Sequence, residues 1–233
     1  MSDEYRGHFL WYELLTPDPR AAVDFYSGIV GWDTRDWQGE SEMPYTMLCR
    51  GKIPVAGVMQ LPEEARQQGA PPHWLGYVGT PDVDATVESV TELAGEVLVA
   101  PQDIPEVGRF AVLADPQGAI FATYTPANEP PGAGQEPGVS EFSWHELATT
   151  DQEAAFRFYS ELFGWQETDS MDMGEAGVYR MFGPGRTFGG MFDKPDAMPG
   201  PPGWLYYVSV EDVAVAAEAV KSRGGQVVNG PME

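Results

Sequence analysis

The chain has 233 residues, of which 42% are hydrophobic, and it carries 13 Lys and Arg against 36 Asp and Glu, a formal net charge of −23. This length and composition predict a globular protein with room for two ordinary domains. The strong negative charge repels phosphate backbones and anionic lipid surfaces, so we expect no nucleic acid and no membrane among its partners.

The single cysteine, Cys49, excludes an intrachain disulfide and a thiolate metal cluster. The first four residues lack the basic start and apolar run of a signal peptide. No apolar stretch approaches the length needed to span a bilayer. These features together predict a cytoplasmic protein.

An internal repeat organises the sequence. Residues 9–32 align without a gap on residues 142–165, at an offset of 133, and 13 of these 24 positions are identical. A repeat of this kind predicts two copies of one supersecondary arrangement. A residue that serves a chemistry common to both copies should therefore occur in each.

The first copy predicts two successive βαβββ units. The first unit has a strand over Phe9–Leu15, a helix that begins after Thr16 or Asp18 and ends before Gly31, and strands near 32–37, 45–50 and 55–61. The second unit has a strand over 74–79, a helix over 82–93, and strands over 96–100, 110–114 and 120–125.

The second copy begins after a stretch rich in Pro and Gly. Residues 127–138 show no apolar periodicity and predict a linker between domains at 1–126 and 139–233. Trp204 then matches Trp74 at an offset of 130, so that Glu233 matches Asp103 and the copy stops two strands short of the first. Because an unfinished half would expose a sheet edge, we expect the natural protein to be longer.

Several motifs carry a family resemblance. A helix with the pattern D-x-x-x-A-x-x-F-Y-x-x-x-x-G-W, and Asp115-Pro116-Gln117-Gly118 before a closing strand, resemble the glyoxalase/bleomycin resistance/extradiol dioxygenase superfamily, also called the vicinal oxygen chelate fold. The two W-x-E-L openings are similar to a tandem two-copy subgroup that includes a mycobacterial antigen and proteins described as hydroxylases. The resemblance implies an α+β fold of four tandem βαβββ modules, the last incomplete, that form two glyoxalase-like cups.

The resemblance also locates the metal-ligand positions of the superfamily, where ligands are usually His, His and Glu. In this sequence those positions hold residues without metal-binding groups: Trp11, Leu75 and Ala122 in the first copy, Trp144 and Leu205 in the second. Zinc or iron needs several imidazole, carboxylate or thiolate ligands at once. We therefore expect neither a metal nor another cofactor.

A slip of one residue in the alignment does not supply the missing ligands. It would bring Tyr12 or His145 to the first position without completing a set. The three histidines, His8, His73 and His145, do not match one another between the copies. Surface or packing roles are predicted for them.

Strand alternation places an aromatic residue and a carboxylate together. Glu13 shares a strand face with Trp11, and Glu146 shares one with Trp144. The fifth strands of the two copies are predicted to add further ligand-binding residues to this face: Leu75, Tyr77, Leu205 and Tyr207. Such a surface suits a flat or amphipathic small molecule. The alternative is that Trp and Glu fill a redundant cup, with Glu13 bound to Arg109 or to a backbone N–H.

Three functions remain open from the sequence. The first is a metal-free protein that binds small molecules, as resistance proteins of the superfamily do. The second is a metal-free hydroxylase, lyase or isomerase acting on an aromatic or oxygenated molecule, with Glu13 or Glu146 as catalytic base and Tyr77 or Tyr207 as hydrogen-bond donor. The third is a metal enzyme with an atypical site. Two copies in one chain predict a monomer or a weak homodimer.

Overall fold

A computed structural model describes residues 5–39, 44–67, 69–128 and 134–232. The predicted linker therefore lies partly outside the described residues, and so do the N-terminal residues 1–4 and Glu233. The described residues form two sheets, of eight and five strands, together with helices, which confirms the predicted α+β class. The domain boundaries at 1–126 and 139–233 remain a prediction.

The described part of the first copy contains eight strands and three helices. The strands are β1 Phe9–Thr16, β2 Asp33–Asp36, β3 Tyr45–Arg50, β4 Ile53–Gln60, β5 His73–Gly79, β6 Glu96–Ile104, β7 Gly108–Ala114 and β8 Ile120–Pro126. The helices are α1 Pro19–Val30, α2 Glu63–Gln67 and α3 Val83–Glu92. The short α2, in which Arg66 donates to Glu63 at 2.8 Å, is the one helix here that the sequence pattern did not predict.

The second copy repeats the order of the first as far as α5, but its described residues include no counterpart of α2. Its strands are β9 Phe142–Thr149, β10 Gln166–Asp172, β11 Val178–Gly183, β12 Gly189–Asp193 and β13 Gly203–Val208, and its helices are α4 Gln152–Phe163 and α5 Val213–Ser222. The residues described after α5 form no strand.

Matching residues cap the first helix of each copy. The carboxylate of Asp18 accepts the Ala21 backbone N–H at 3.0 Å, and that of Asp151 accepts the Ala154 N–H at 2.9 Å. Each helix ends at a left-handed glycine, with φ of 81° at Gly31 and 73° at Gly164. A residue with a Cβ adopts this conformation at a cost, so glycine is favoured there. These helix ends confirm the sequence prediction and select Asp18 over Thr16 as the cap.

Clustering of contacts divides the chain into two compact units. Unit 1 comprises residues 1–11, 75–135 and 144–206, and unit 2 comprises residues 12–74, 136–143 and 207–233. Unit 1 holds the strand series β5-β8-β7-β6 and β10-β11-β12-β9, while unit 2 holds β2-β3-β4-β1.

Unit 1 has an aromatic core. Its fully buried members include Phe121, Tyr159 and Phe163, and Phe121 meets the rings of Phe158, Tyr159 and Phe163 edge-on at 5.3–6.2 Å. Edge-to-face contact is a favoured arrangement for aromatic pairs. This packing holds α4 against β8 of the eight-stranded sheet.

The repeat is visible in the contacts as well as in the sequence. The Trp165 indole donates to the Gly7 carbonyl at 2.8 Å in unit 1, and the Trp32 indole donates to the Ser140 carbonyl at 2.8 Å in unit 2. Gly7 and Ser140 are themselves related by the offset of 133. Each unit is thus built on equivalent bonds between segments of both copies.

Candidate ligand-binding site

A hydrogen-bonded chain of three side chains lies on one face of the β10-β11-β12-β9 sheet in unit 1. The Trp144 indole N–H donates to the Tyr179 hydroxyl at 2.9 Å, and that hydroxyl donates to Glu146 Oε2 at 2.9 Å. All three side chains are partly buried. A hydrogen bond to a carboxylate is charge-assisted, and successive bonds polarise one another. The sequence paired Trp144 with Glu146, and the structure joins them through Tyr179.

A glycine allows Tyr179 to lie across the sheet. Gly190 of β12 is in register with Glu146 of β9, and a Cβ added at Gly190 would come within 2.1 Å of the Tyr179 ring. No real Cβ tolerates such a contact, so any larger residue would displace the phenol from the carboxylate. Gly190 is therefore part of the arrangement that holds Tyr179 beside Glu146.

The same arrangement recurs in unit 2. Glu13 of β1, only 8% exposed, is in register with Gly57 of β4. A Cβ at Gly57 would come within 1.9 Å of the Tyr45 hydroxyl oxygen, so the phenol crosses the sheet directly over the residue beside Glu13. Glu13 follows Trp11 by two residues, as Glu146 follows Trp144. In both copies a glycine is thus in register with a glutamate, and a tyrosine two residues away from the glycine's other register partner lies over that glycine.

Sequence reasoning did not find Tyr45 and Tyr179. The signal that could have found them is a second short repeat, Tyr45-Thr46-Met47 matching Tyr179-Arg180-Met181 at an offset of 134. The offset differs by one residue from that of the first repeat, so a gap-free comparison misses it. Gly57 and Gly190 recur at the offset of the first repeat, 133.

The predicted ligand-binding residues on β5 and β13 differ in their exposure to solvent. Leu75 and Tyr77 are buried in unit 1, where Tyr77 lies beside Ala122 and near the rings of Phe110 and Tyr124, at 6.1 and 6.4 Å. Leu205 and Tyr207 are 56% and 42% exposed. Leu75 and Tyr77 are therefore buried and Leu205 and Tyr207 exposed, and ligand binding by these four residues remains a prediction.

The Tyr124 hydroxyl keeps its proton at neutral pH and donates it in a hydrogen bond. Its hydroxyl donates to the Val107 carbonyl at 2.9 Å, and burial raises the pKa of Tyr124 to about 12. Desolvation disfavours the charged phenolate, which accounts for the direction of the shift. Tyr124 therefore remains a neutral phenol beside Tyr77.

The residues predicted to occupy the superfamily's metal-ligand positions carry no metal-binding group. In the structure Trp11 lies in β1, Leu75 in β5 and Ala122 in β8, while Trp144 and Leu205 lie in β9 and β13. None of these side chains carries an imidazole, carboxylate or thiolate. Within the described ranges, no group of three or more His, Cys, Asp or Glu side chains is arranged to hold a metal ion.

His145 belongs to the core of unit 1. It stacks on Phe9, with ring centroids 4.1 Å apart and ring planes 3° from parallel, and its Nδ1 lies 2.8 Å from the Phe188 carbonyl oxygen. Burial lowers the pKa of His145 to about 3, so the ring is neutral and Nδ1 donates to that carbonyl. His73, by contrast, places Nδ1 2.7 Å from the Pro71 carbonyl oxygen in unit 2.

Arg109, the alternative partner considered for Glu13, is held by two other carboxylates. Its guanidinium donates to Asp84 at 2.8 and 2.9 Å and to Asp103 at 2.9 Å. Both carboxylates are more than half exposed, so these ion pairs contribute little to stability. Arg109 therefore joins α3 to the β6–β7 hairpin.

Family models match both halves of the chain. Residues 141–233 match the model described as Glyoxalase/Bleomycin resistance protein/Dioxygenase superfamily, and residues 12–123 match the model described as Glyoxalase-like domain. Together these matches cover most of the sequence. The chain belongs to the glyoxalase/bleomycin resistance protein/dioxygenase superfamily, as its motifs predicted.

Curated relatives come from mycobacteria and streptomycetes. CFP32 of Mycobacterium tuberculosis, whose name assigns it provisionally to the glyoxylases, is 41% identical over 52% of this chain and 45% of its own length, so the match spans less than half of that relative. The anthracycline biosynthesis protein DauV of Streptomyces sp. (strain C5) is 28% identical over 96% of this chain and 84% of its own. DnrV of Streptomyces peucetius, also named for anthracycline biosynthesis, is 32% identical over 69% and 62%.

Solved structures share the fold across nearly the whole chain. A mutant of 4-hydroxymandelate synthase from Streptomyces coelicolor superposes with a TM-score of 0.64 at 18% identity, covering 94% of this chain and 75% of that one. The trihydroxybiphenyl dioxygenase of Sphingomonas wittichii gives 0.62 at 14%, over 96% and 80%. At such identities the likeness establishes the fold alone. No helix among the described residues is long and apolar enough to cross a membrane.

Proposed function

We propose that this protein binds flat, oxygenated aromatic small molecules without a metal, at the two equivalent sheet faces that carry Glu13 and Glu146. The observation that carries the proposal is the repeated arrangement of a tyrosine laid over a glycine beside a glutamate. An arrangement kept in both copies while neighbouring residues differ is what a shared binding chemistry predicts.

The chemistry of these faces suits a polyhydroxylated ring system. The Trp144 indole offers a broad apolar surface for stacking. Tyr179 and Glu146 provide an oriented hydroxyl and a carboxylate, groups that hydrogen-bond to the hydroxyl and carbonyl substituents of such a ligand. The streptomycete relatives named for anthracycline biosynthesis support this ligand class, since anthracyclines are flat, oxygenated aromatics.

The glycines provide a direct test. Gly190→Ala should push Tyr179 off Glu146 and weaken binding to the second-copy face, and Gly57→Ala should do the same to Tyr45 and the first-copy face. Titration with the hydroxyanthraquinone quinizarin, followed by tryptophan fluorescence, should show binding to the wild type, loss of one class of site in each single variant, and loss of both classes in the double variant. Unchanged binding in the double variant would contradict the proposal.

A glycine outside both faces serves as the control. Gly118 has a left-handed φ of 93° in the turn before β8, and no atom lies within 4 Å of a Cβ added there. Gly118→Ala strains the backbone without touching either tyrosine, and it should leave quinizarin binding intact. If Gly118→Ala also lost binding, the other glycine substitutions would be acting through general destabilisation.

A second candidate function is a metal-free enzyme. The hydrogen bond from the Tyr179 hydroxyl to Glu146 places a proton donor and a proton acceptor 2.9 Å apart, as acid–base catalysis requires. If the chain converts its bound ligand, Glu13→Gln with Glu146→Gln should abolish turnover while binding persists. Turnover that survives in this double variant would remove the carboxylates from the mechanism.

A further inference from the structure

The two proposed binding faces end on different charges. In unit 2, Arg35 of β2 is in register with Met47 of β3, which is in register with Gly57 of β4, the partner of Glu13. Directly opposed residues share a sheet face, so Arg35 lies on the face of Glu13. Arg35 on β2 and Glu13 on β1 lie three strand spacings apart, which is about 14 Å across the sheet.

The equivalent position in unit 1 carries the opposite charge. Asp169 of β10 is in register with Met181 of β11, which is in register with Gly190 of β12, the partner of Glu146. Arg35 and Asp169 are related by the same offset of 134 that relates Tyr45 to Tyr179. Asp169 accepts the Ser170 backbone N–H at 2.8 Å and is exposed, as Arg35 is.

The residue next along each face differs as well. Trp37 donates its backbone N–H to Tyr45 at 3.0 Å, and its ring meets the Tyr45 ring edge-on at 6.0 Å. The matching residue in the second copy is Met171, in register with Tyr179 and 55% exposed. The distal end of the first face is thus a guanidinium with an indole, and that of the second is a carboxylate with a flexible thioether.

We infer that the two faces select ligands of opposite charge: the first-copy face takes aromatic ligands that carry a carboxylate, and the second-copy face takes aromatic ligands that carry an amine. This inference rests on the proposed function. A guanidinium binds a carboxylate with two parallel hydrogen bonds, whereas Asp169 attracts an ammonium group. Asp33 shares the Arg35 face and reduces its positive field without removing the fork-shaped donor.

One uncharged and two charged probes distinguish this inference from the proposed function on which it rests. Quinizarin carries neither substituent, so its failure to bind the wild type would refute the proposed function itself. If quinizarin binds the wild type, the charged probes are then tested one at a time on the Gly190→Ala variant, where the first-copy face is intact. An anthraquinone carboxylate should bind this variant roughly fivefold more tightly than an aminomethyl anthraquinone does. The Gly57→Ala variant should show the reverse preference. Both preferences should shrink in high salt, because exposed charges are screened.

Charge reversal completes the test. In the Gly190→Ala background, Arg35→Asp should exchange the order of the two charged probes, whereas the control Arg20→Asp, which alters an exposed arginine on α1, should keep it. In the Gly57→Ala background, Asp169→Arg should exchange the order, and the control Asp196→Arg should not. Quinizarin binding together with equal affinities for the charged probes would overturn the inference, as would controls that act as strongly as the site variants.

Discussion

Helices α1 and α4 show how one sequence pattern acquires two different roles. Both carry Ala-Ala, Phe-Tyr-Ser and Gly-Trp at matching positions, and both begin at an aspartate cap. Yet α4 buries six of its residues, whereas α1 buries none completely. The difference lies in the packing partners rather than in the helices.

The packing partner of α4 is the β8 residue Phe121, whose ring meets those of Phe158, Tyr159 and Phe163. Helix α1 instead packs within unit 2, where the residues described after α5 form no strand. The apolar face of each helix is therefore encoded locally, whereas the stability that the helix contributes depends on the layer packed against that face.

The largest expected difference between the copies concerns their equivalent phenylalanines. Phe158→Ala should lower the free energy of unfolding by about 3–5 kcal/mol, because it leaves a cavity among fully packed rings. Phe25→Ala should cost less than about 2 kcal/mol, because Phe25 is only partly buried. Urea unfolding of the two variants measures both values, and equal losses would show that α1 is packed as tightly as α4.

The pH dependence of stability should distinguish His145 from its counterpart, Tyr12. The pKa of His145 is about 3 in the folded chain and about 6.5 when unfolded, so between these values the unfolded state binds the extra proton and stability falls as the pH falls. Tyr12 carries no imidazole that could take up a proton in this range. Between about pH 7.5 and about pH 5, the wild type should therefore lose about 2 kcal/mol more than His145→Gln.

Asp115 acts in the opposite direction and must be separated from this effect. Burial raises the pKa of Asp115 above its ordinary value, so the folded state takes up its proton first and gains stability as the pH falls towards that value. Because Asp115 is present in both proteins, its contribution cancels in the difference between wild type and His145→Gln. Parallel pH profiles of the two proteins would show that His145 is not the buried neutral group described here.

The smallest expected effect on stability is the loss of a helix cap, and it should be equal in the two copies. Asp18→Ala and Asp151→Ala each remove one exposed cap, with its single hydrogen bond to the backbone, and each should cost about 1 kcal/mol. Equal losses would mark capping as a local property that both copies share. A much larger loss for Asp151→Ala would mean that the burial of α4 also strengthens its first turn.

Features that depend on neighbouring residues or on the internal repeat could be predicted from the sequence. The caps at Asp18 and Asp151, the helix ends at Gly31 and Gly164 and the alternating faces of the W-x-E-L strands all depend on neighbouring residues, and all could be predicted. The superfamily followed from the same motifs.

The features that were missed depend on strand register. Tyr179 lies between Trp144 and Glu146 only because β11 pairs with β12 and β12 pairs with β9. The Phe9–His145 stack joins residues from the two copies that no local pattern connects. The exposure of Leu205 and Tyr207, beside the burial of Leu75 and Tyr77, likewise reflects tertiary packing that strand alternation alone does not reveal.

The central claim is that two equivalent faces bind an aromatic ligand without a metal. Its most direct test is calorimetric titration of the EDTA-treated chain with quinizarin, repeated after addition of Zn²⁺, Fe²⁺ or Mn²⁺. We expect binding at both faces before any metal is added, with affinities that the metals leave unchanged. Binding that appears only after a metal is restored would contradict it.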